Sequence, residues 1–258
     1  MDFSAFFLAS LLLASLAFAQ APSEPPAPPP AANPAAALSR AKEFYEHGFY
    51  ASAFPLFRVA ANAGYADAYL HLGVMCGSGQ GTRLDFAEAM NWFVKAADAG
   101  SSEAMNDIGL LYYQGYGVDQ DYDTALTWFR KATNAGNSEA LFNVGVIYRD
   151  GLGVAVDYAG AMSWFRKAAN AGVASAMNSI GVLYQKGLGV SVDYGEAMNW
   201  YRRAADASSD TALFNIGLLY EGGLGVKKDL KEAGEWYRKA VEAGNLEAAG
   251  ALRSLEAK

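Results

Sequence analysis

The chain of 258 residues holds a single cysteine, Cys76, and two histidines, His47 and His71. One thiol can form no intramolecular disulfide, no thiolate metal cluster and no Cys-x-x-Cys redox pair. Two histidines exclude a multi-His metal site and leave little for His-based acid–base catalysis. Cations are in deficit: 20 Lys and Arg against 27 Asp and Glu give a net charge of -7, which disfavours nucleic acid and anionic membranes as partners. Proline is scarce outside one stretch, since seven of the eight lie between Ala21 and Ala36. Apolar residues are plentiful at 52%, with 13% aromatics, enough to bury a large core and to exclude a chain disordered throughout.

The one long uncharged apolar run, Phe6 to Phe18, is too short for a comfortable membrane span. Ala17-Phe18-Ala19 follows it with small residues where a signal peptidase needs them, although Asp2 and the absence of Lys or Arg make the first residues atypical. Residues 1–19 are therefore expected to be a cleaved secretory leader, with no membrane insertion after cleavage. The proline-rich residues 20–36 read as an extended, solvated linker.

From residue 65 the chain repeats every 36 residues without a gap: 65–100, 101–136, 137–172, 173–208 and 209–244. All tryptophans fall at one repeat position, as Trp92, Trp128, Trp164, Trp200 and Trp236. Apolar residues such as Ala140, Val144, Ile147 and Tyr148 recur at helical spacing until Gly151-Leu152-Gly153 interrupts them, which predicts one helix and its stop signal. Asp157, like Asp85, Asp121, Asp193 and Asp229, stands where the cap of a second helix is needed. That helix carries Ala161, Trp164, Phe165, Ala168 and Ala169 in one apolar stripe. A single helix pair cannot cover such a stripe, so the pairs must stack. The tryptophan column is expected to hold the stack. Interior glycines such as Gly145 and Gly181 cost helix propensity and point to close approach of neighbouring helices.

The order Ala, Gly, Tyr, Gly-x-Gly-Val, Asp, Ala, Trp, Lys-Ala-Ala, Gly resembles the Sel-one-like repeat, a relative of the tetratricopeptide repeat. The resemblance covers residues 65–244, with Cys76, Thr82 and Ser208 as departures, where looser packing or a changed junction is expected. It implies an all-α fold, a right-handed α/α superhelix of antiparallel helix pairs acting as a protein-interaction scaffold, commonly in exported bacterial proteins. Residues 37–64, which lack the Gly-x-Gly insert, resemble a tetratricopeptide unit and read as an N-terminal cap, with Pro55 inside its second helix. Residues 245–258 read as a C-terminal capping helix, with Arg253 where the repeats carry Gly. Thirteen helices are expected.

Little in the sequence points to catalysis. Each Gly-x-Gly follows a helix and lacks the rest of a phosphate loop, and no Gly-x-Ser-x-Gly, His-Glu-x-x-His or calcium loop is present. Some cysteine-rich relatives of this repeat family are associated with penicillin hydrolysis, but their paired cysteines are missing. No catalytic residue, metal or cofactor is assigned, and a β-lactamase-like hydrolase or a structural spacer stand as alternatives. Cys76 is read as a buried small hydrophobe and His71 as a surface or pocket-lining residue. The pairs Arg130-Lys131, Arg166-Lys167, Arg202-Arg203 and Arg238-Lys239 form either a solvated face or a stripe for an acidic partner. By analogy with tetratricopeptide scaffolds, the first helices line the concave side. Two places after the recurring Ala stand Asn106, Phe142, Asn178 and Phe214, alternating amide and aromatic. The amides could hold the backbone of an extended peptide and the phenylalanines its side chains, with Tyr113 as a platform and Arg149 for a carboxylate. Alternatively, Phe142 and Phe214 pack within the solenoid. The partner is expected to be a protein or peptide in the periplasm or outside the cell.

Overall fold

The computed structural model describes residues 33–256. The proposed leader and most of the proline-rich linker lie outside the described residues. These fold into thirteen α-helices with no strand among them. The chain divides into two compact units, one running to Gly136 and the other starting at Asn137.

The first unit holds α1 (Pro34–Glu46), α2 (Tyr50–Asn62), α3 (Ala66–Ser78), α4 (Phe86–Asp98), α5 (Ser102–Gln114) and α6 (Tyr122–Asn134). Helix α1 starts at Pro34, three residues before the helical pattern becomes evident at Ala37. Asn33 explains the earlier start: its side chain accepts from the Ala35 N–H at 2.9 Å, and a proline at the first helical position gives up only an N–H that has no helical partner. Helix α2 continues through Pro55. The second unit holds α7 (Ser138–Asp150), α8 (Tyr158–Asn170), α9 (Ala174–Lys186), α10 (Tyr194–Asp206), α11 (Asp210–Gly222), α12 (Leu230–Glu242) and α13 (Leu246–Glu256). Within each unit every helix packs against the next in sequence, which is the arrangement of an α-solenoid.

Local chemistry sets the helix ends. Asp85, Asp121, Asp157, Asp193 and Asp229 all cap the second helix of their repeat, each side chain accepting a backbone N–H of the first turn. The first helices stop at Gly79, Gly115, Gly151, Gly187 and Gly223, all in the left-handed conformation that a Cβ would strain. Ser208, standing where the other repeats close with glycine, is forced to φ +67°, the one positive φ of a non-glycine residue among the described residues.

The core differs from the expected tryptophan column. All five tryptophans are half-buried, and the residue after each is the one that goes inside: Phe93, Phe129, Phe165, Tyr201 and Tyr237 are at most 2% exposed. The interior glycines explain why. A Cβ on Gly73, Gly109, Gly145, Gly181 or Gly217 would stand 2.5–2.6 Å from the ring of that repeat's buried aromatic. Each first helix thus gives up a side chain so that a ring of the second helix can lie against its backbone. The close approach is between ring and helix. Burying such a ring is worth roughly 2–3 kcal/mol, more than the ~1 kcal/mol that glycine costs the helix.

Candidate protein-interaction surface

The tryptophans left at the surface are covered by cations. Lys95, Lys131, Lys167, Arg203 and Lys239 lie over the rings of Trp92, Trp128, Trp164, Trp200 and Trp236 at 3.8–4.2 Å from the ring centroids. In the second unit, the other member of the basic pair reaches the following repeat: Arg166 donates to the Tyr184 hydroxyl at 3.1 Å, and Arg202 to that of Tyr220 at 3.5 Å. The basic row of the second helices is therefore held in place by aromatic side chains.

The residues singled out on the first helices fall into different environments. In the first unit, Asn106 on α5 is 8% exposed, and its side chain hydrogen-bonds the carboxyl of Asp107. Asp107 is pushed up to about 7, first by burial and then by the neighbouring Glu103, against the pull of Asn106. Tyr113, the next-to-last residue of α5, is half-buried and meets Tyr122 edge to face at 5.4 Å. In the second unit, Phe142 and Phe214 turn toward their own second helices, with ring centroids 5.7 Å from Phe165 and 5.5 Å from Tyr237. Asn178 accepts from the Asn215 side chain of the next repeat at 2.9 Å. Arg149 makes a two-pronged ion pair with Asp150, both contacts at 2.6 Å. Of the six, the two phenylalanines and Asn178 thus contribute to packing within and between repeats of their unit. Tyr113 and Arg149 stand at one repeat position near the ends of α5 and α7.

That position carries a feature sequence reasoning passed over. Its later members, Gln185 and Glu221, accept hydrogen bonds from the buried hydroxyls of Tyr201 and Tyr237. Burial holds both phenols well above their usual range, and for Tyr237 the Glu221 carboxylate adds to it. The three repeats with phenylalanine at the buried site carry Gly77, Tyr113 and Arg149 there, so the signal was available: an acceptor side chain stands at this position in the last two repeats, where the buried ring is a tyrosine.

Of the two remaining candidates, Cys76 settles into the core and His71 stays half-buried against aromatic neighbours. Cys76 is fully buried and its thiol is pushed up to about 12, chiefly by burial and further by Glu88 and Asp85, so it is no nucleophile at neutral pH. His71 stacks on Phe57 at 4.6 Å, meets Tyr45 edge-on at 5.2 Å, and its Nδ1 lies 2.8 Å from the Asp67 carbonyl. Among the described residues, no three His, Cys, Asp or Glu side chains gather as a metal-binding group. No helix among them is long and apolar enough to cross a membrane.

The Sel1 repeat model matches residues 66–101, 102–137, 138–173, 174–209 and 211–245. The chain belongs to the Sel1 repeat family. Among solved structures, a Sel1 repeat protein from Oxalobacter formigenes is 32% identical, with a TM-score of 0.79, over 86% of this chain and 90% of that one. The protective antigen c5321 of uropathogenic Escherichia coli, described as displaying an SLR fold, is also 32% identical, with a TM-score of 0.70 over 86% of this chain but only 48% of its own length. The immunity protein Pa5087 of Pseudomonas aeruginosa shares the fold at 18% identity, with a TM-score of 0.56 over 84% of each chain. No curated protein matches. Sel1 repeat proteins generally mediate protein–protein interaction, and their fold is typically a non-catalytic scaffold.

Proposed function

We propose that this Sel1 repeat chain is an exported scaffold of the bacterial envelope that binds a peptide or protein segment along its first helices. The observation that carries this reading is a contrast between positions. Capping aspartates, helical glycines and buried rings recur in every repeat, whereas the position near the end of the first helices runs Gly77, Tyr113, Arg149, Gln185, Glu221, of which Gln185 and Glu221 answer buried tyrosine hydroxyls and Tyr113 and Arg149 do not. Packing needs sameness; recognition of one partner needs difference from repeat to repeat. Asn106 and Asn178 keep their place as candidate contacts to a backbone, Asn178 with an amide N–H₂ left after accepting from Asn215. Phe142, half-buried, offers a ring edge, and Phe214, 9% exposed, contributes through packing. Export is supported by the leader pattern ending at Ala19, and a relative known as a protective antigen is in keeping with an envelope location.

The test has two arms. N-terminal sequencing of the protein recovered from the cell envelope should begin at Gln20; a start at Met1 overturns export. A cross-linked pull-down should lose its partner with Tyr113→Ala/Arg149→Ala and with Asn106→Ala/Asn178→Ala while both variants keep the parent circular dichroism spectrum. Unchanged recovery with both folded variants overturns the first-helix surface.

A further inference from the structure

The second unit displays a row of cations that its own carboxylates leave alone. Arg166 and Lys167 on α8, Arg202 and Arg203 on α10, and Arg238 and Lys239 on α12 are all exposed and occupy one register position per repeat. Residues 137–256 contain more carboxylates than cations, yet neither of the ion pairs Lys42–Asp67 and Arg149–Asp150 involves this row. Five of the six side chains are also held by aromatic neighbours. Lys167, Arg203 and Lys239 lie at 4.1 Å over Trp164, Trp200 and Trp236, and Arg166 and Arg202 are tied to Tyr184 and Tyr220. Immobilising long cationic side chains ordinarily costs conformational entropy at the moment of binding, and here folding has already met that cost. In a chain of net charge -7, six cations on one face, five of them held by aromatic side chains and none in an ion pair among the described residues, are a local exception to the field of the whole molecule.

We infer that this row is a second docking surface, and that its occupant is a short acidic segment of a partner protein. Charge complementarity selects the carboxylates. Screening selects the length: at physiological salt the Debye length is about 8 Å, so a short segment lying on the row feels the row alone. A nucleic acid or an anionic bilayer extends well past it and meets the net negative remainder of the protein. Lys167, Arg203 and Lys239 lie over an indole yet stay exposed, and their N–H groups are donors whose hydrogen bonds carboxylate oxygens can accept. This surface lies on the second helices and stands independently of the first-helix reading.

The experiment is fluorescence anisotropy on the full mature chain with a short labelled peptide of alternating glutamate and serine. Binding should weaken at least about tenfold between roughly 50 and 300 mM salt. It should fall about tenfold or more in Lys167→Gln/Arg203→Gln/Lys239→Gln. Lys167→Arg/Lys239→Arg keeps both charge and stacking and should bind within about twofold of the parent. If the triple variant melts early, Arg166→Gln/Arg202→Gln/Arg238→Gln takes its place, since it leaves every indole covered, and a loss of similar size is expected. Equal affinity in a folded glutamine variant overturns the proposal. So does tighter binding of a double-stranded DNA oligonucleotide or of anionic phosphatidylserine vesicles than of the peptide.

Discussion

Three repeats of this chain set a phenylalanine against the helical glycine and the last two set a tyrosine there, and the two sets of rings are buried to the same depth. The ring is therefore the constant of the repeat, and the hydroxyl is an addition. Where it is added, the end of the first helix supplies an acceptor, Gln185 or Glu221, and that residue is drawn into the core network. Where it is absent, the same position holds Gly77, Tyr113 or Arg149. One buried atom thus separates a surface side chain tied to the interior from one directed by its surface neighbours.

The largest effect that can break this comparison is removal of a ring. Phe165→Ala should cost about 3–5 kcal/mol in urea unfolding, whereas Trp164→Ala, next to it but half-buried, should cost roughly half as much. Equal losses would restore the tryptophan column as the core. Phe165→Tyr should follow at about 1–3 kcal/mol, because Arg149 can donate to the new hydroxyl oxygen but offers its buried O–H no acceptor, where Tyr201 finds one in Gln185. A Phe165→Tyr protein as stable as the parent would show that the paired changes are incidental.

Asp107 sharpens the contrast from the side of the first helices. In the last repeat the same position is Asn215, a neutral amide paired with Asn178, whereas Asp107 is a shielded carboxyl beside Glu103. Its folded value of about 7 lies above an unfolded value near 4, so the folded chain binds the proton more tightly. Stability is then greatest below about pH 4 as far as this group is concerned, and falls as pH rises to about 7. Asp107→Asn should flatten that slope and gain roughly 1–2 kcal/mol at pH 8, with no gain at pH 4. Urea titrations at the two pH values measure it, and an equal effect at both would remove the role of burial. The smallest effect is Tyr201→Phe, expected to cost about 1 kcal/mol by leaving the Gln185 side chain without its donor.

The architecture was legible in the sequence where its cause is local. Capping aspartates, left-handed glycines and the 36-residue period all act over a few residues and leave their mark in spacing. Depth was not legible in the same way. Trp164 and Phe165 share one apolar stripe, and periodicity alone does not say which ring goes in; Gly145 decides it, from another helix. The candidate surface suffered from the same cause. Phe142 and Phe214 alternate with asparagine in a pattern that allows either partner contact or packing, and each turns to the ring that its own glycine admits. Arg149 pairs with the adjacent Asp150, a contact that rules for helix neighbours three or four residues apart do not anticipate. The cation-over-tryptophan spacing, by contrast, was in plain view as Trp-x-x-Lys in four of the five repeats, with Arg in the fourth.

The most direct test of the ring seated on glycine is the unfolding free energy of Gly145→Ala. Helix propensity by itself predicts a gain of about 1 kcal/mol, because alanine is the better helix former. A ring 2.6 Å from the new Cβ predicts the opposite sign, a net loss of roughly 1–3 kcal/mol as Phe165 is pushed off the first helix. A measured gain would contradict the claim that these glycines exist to admit the ring.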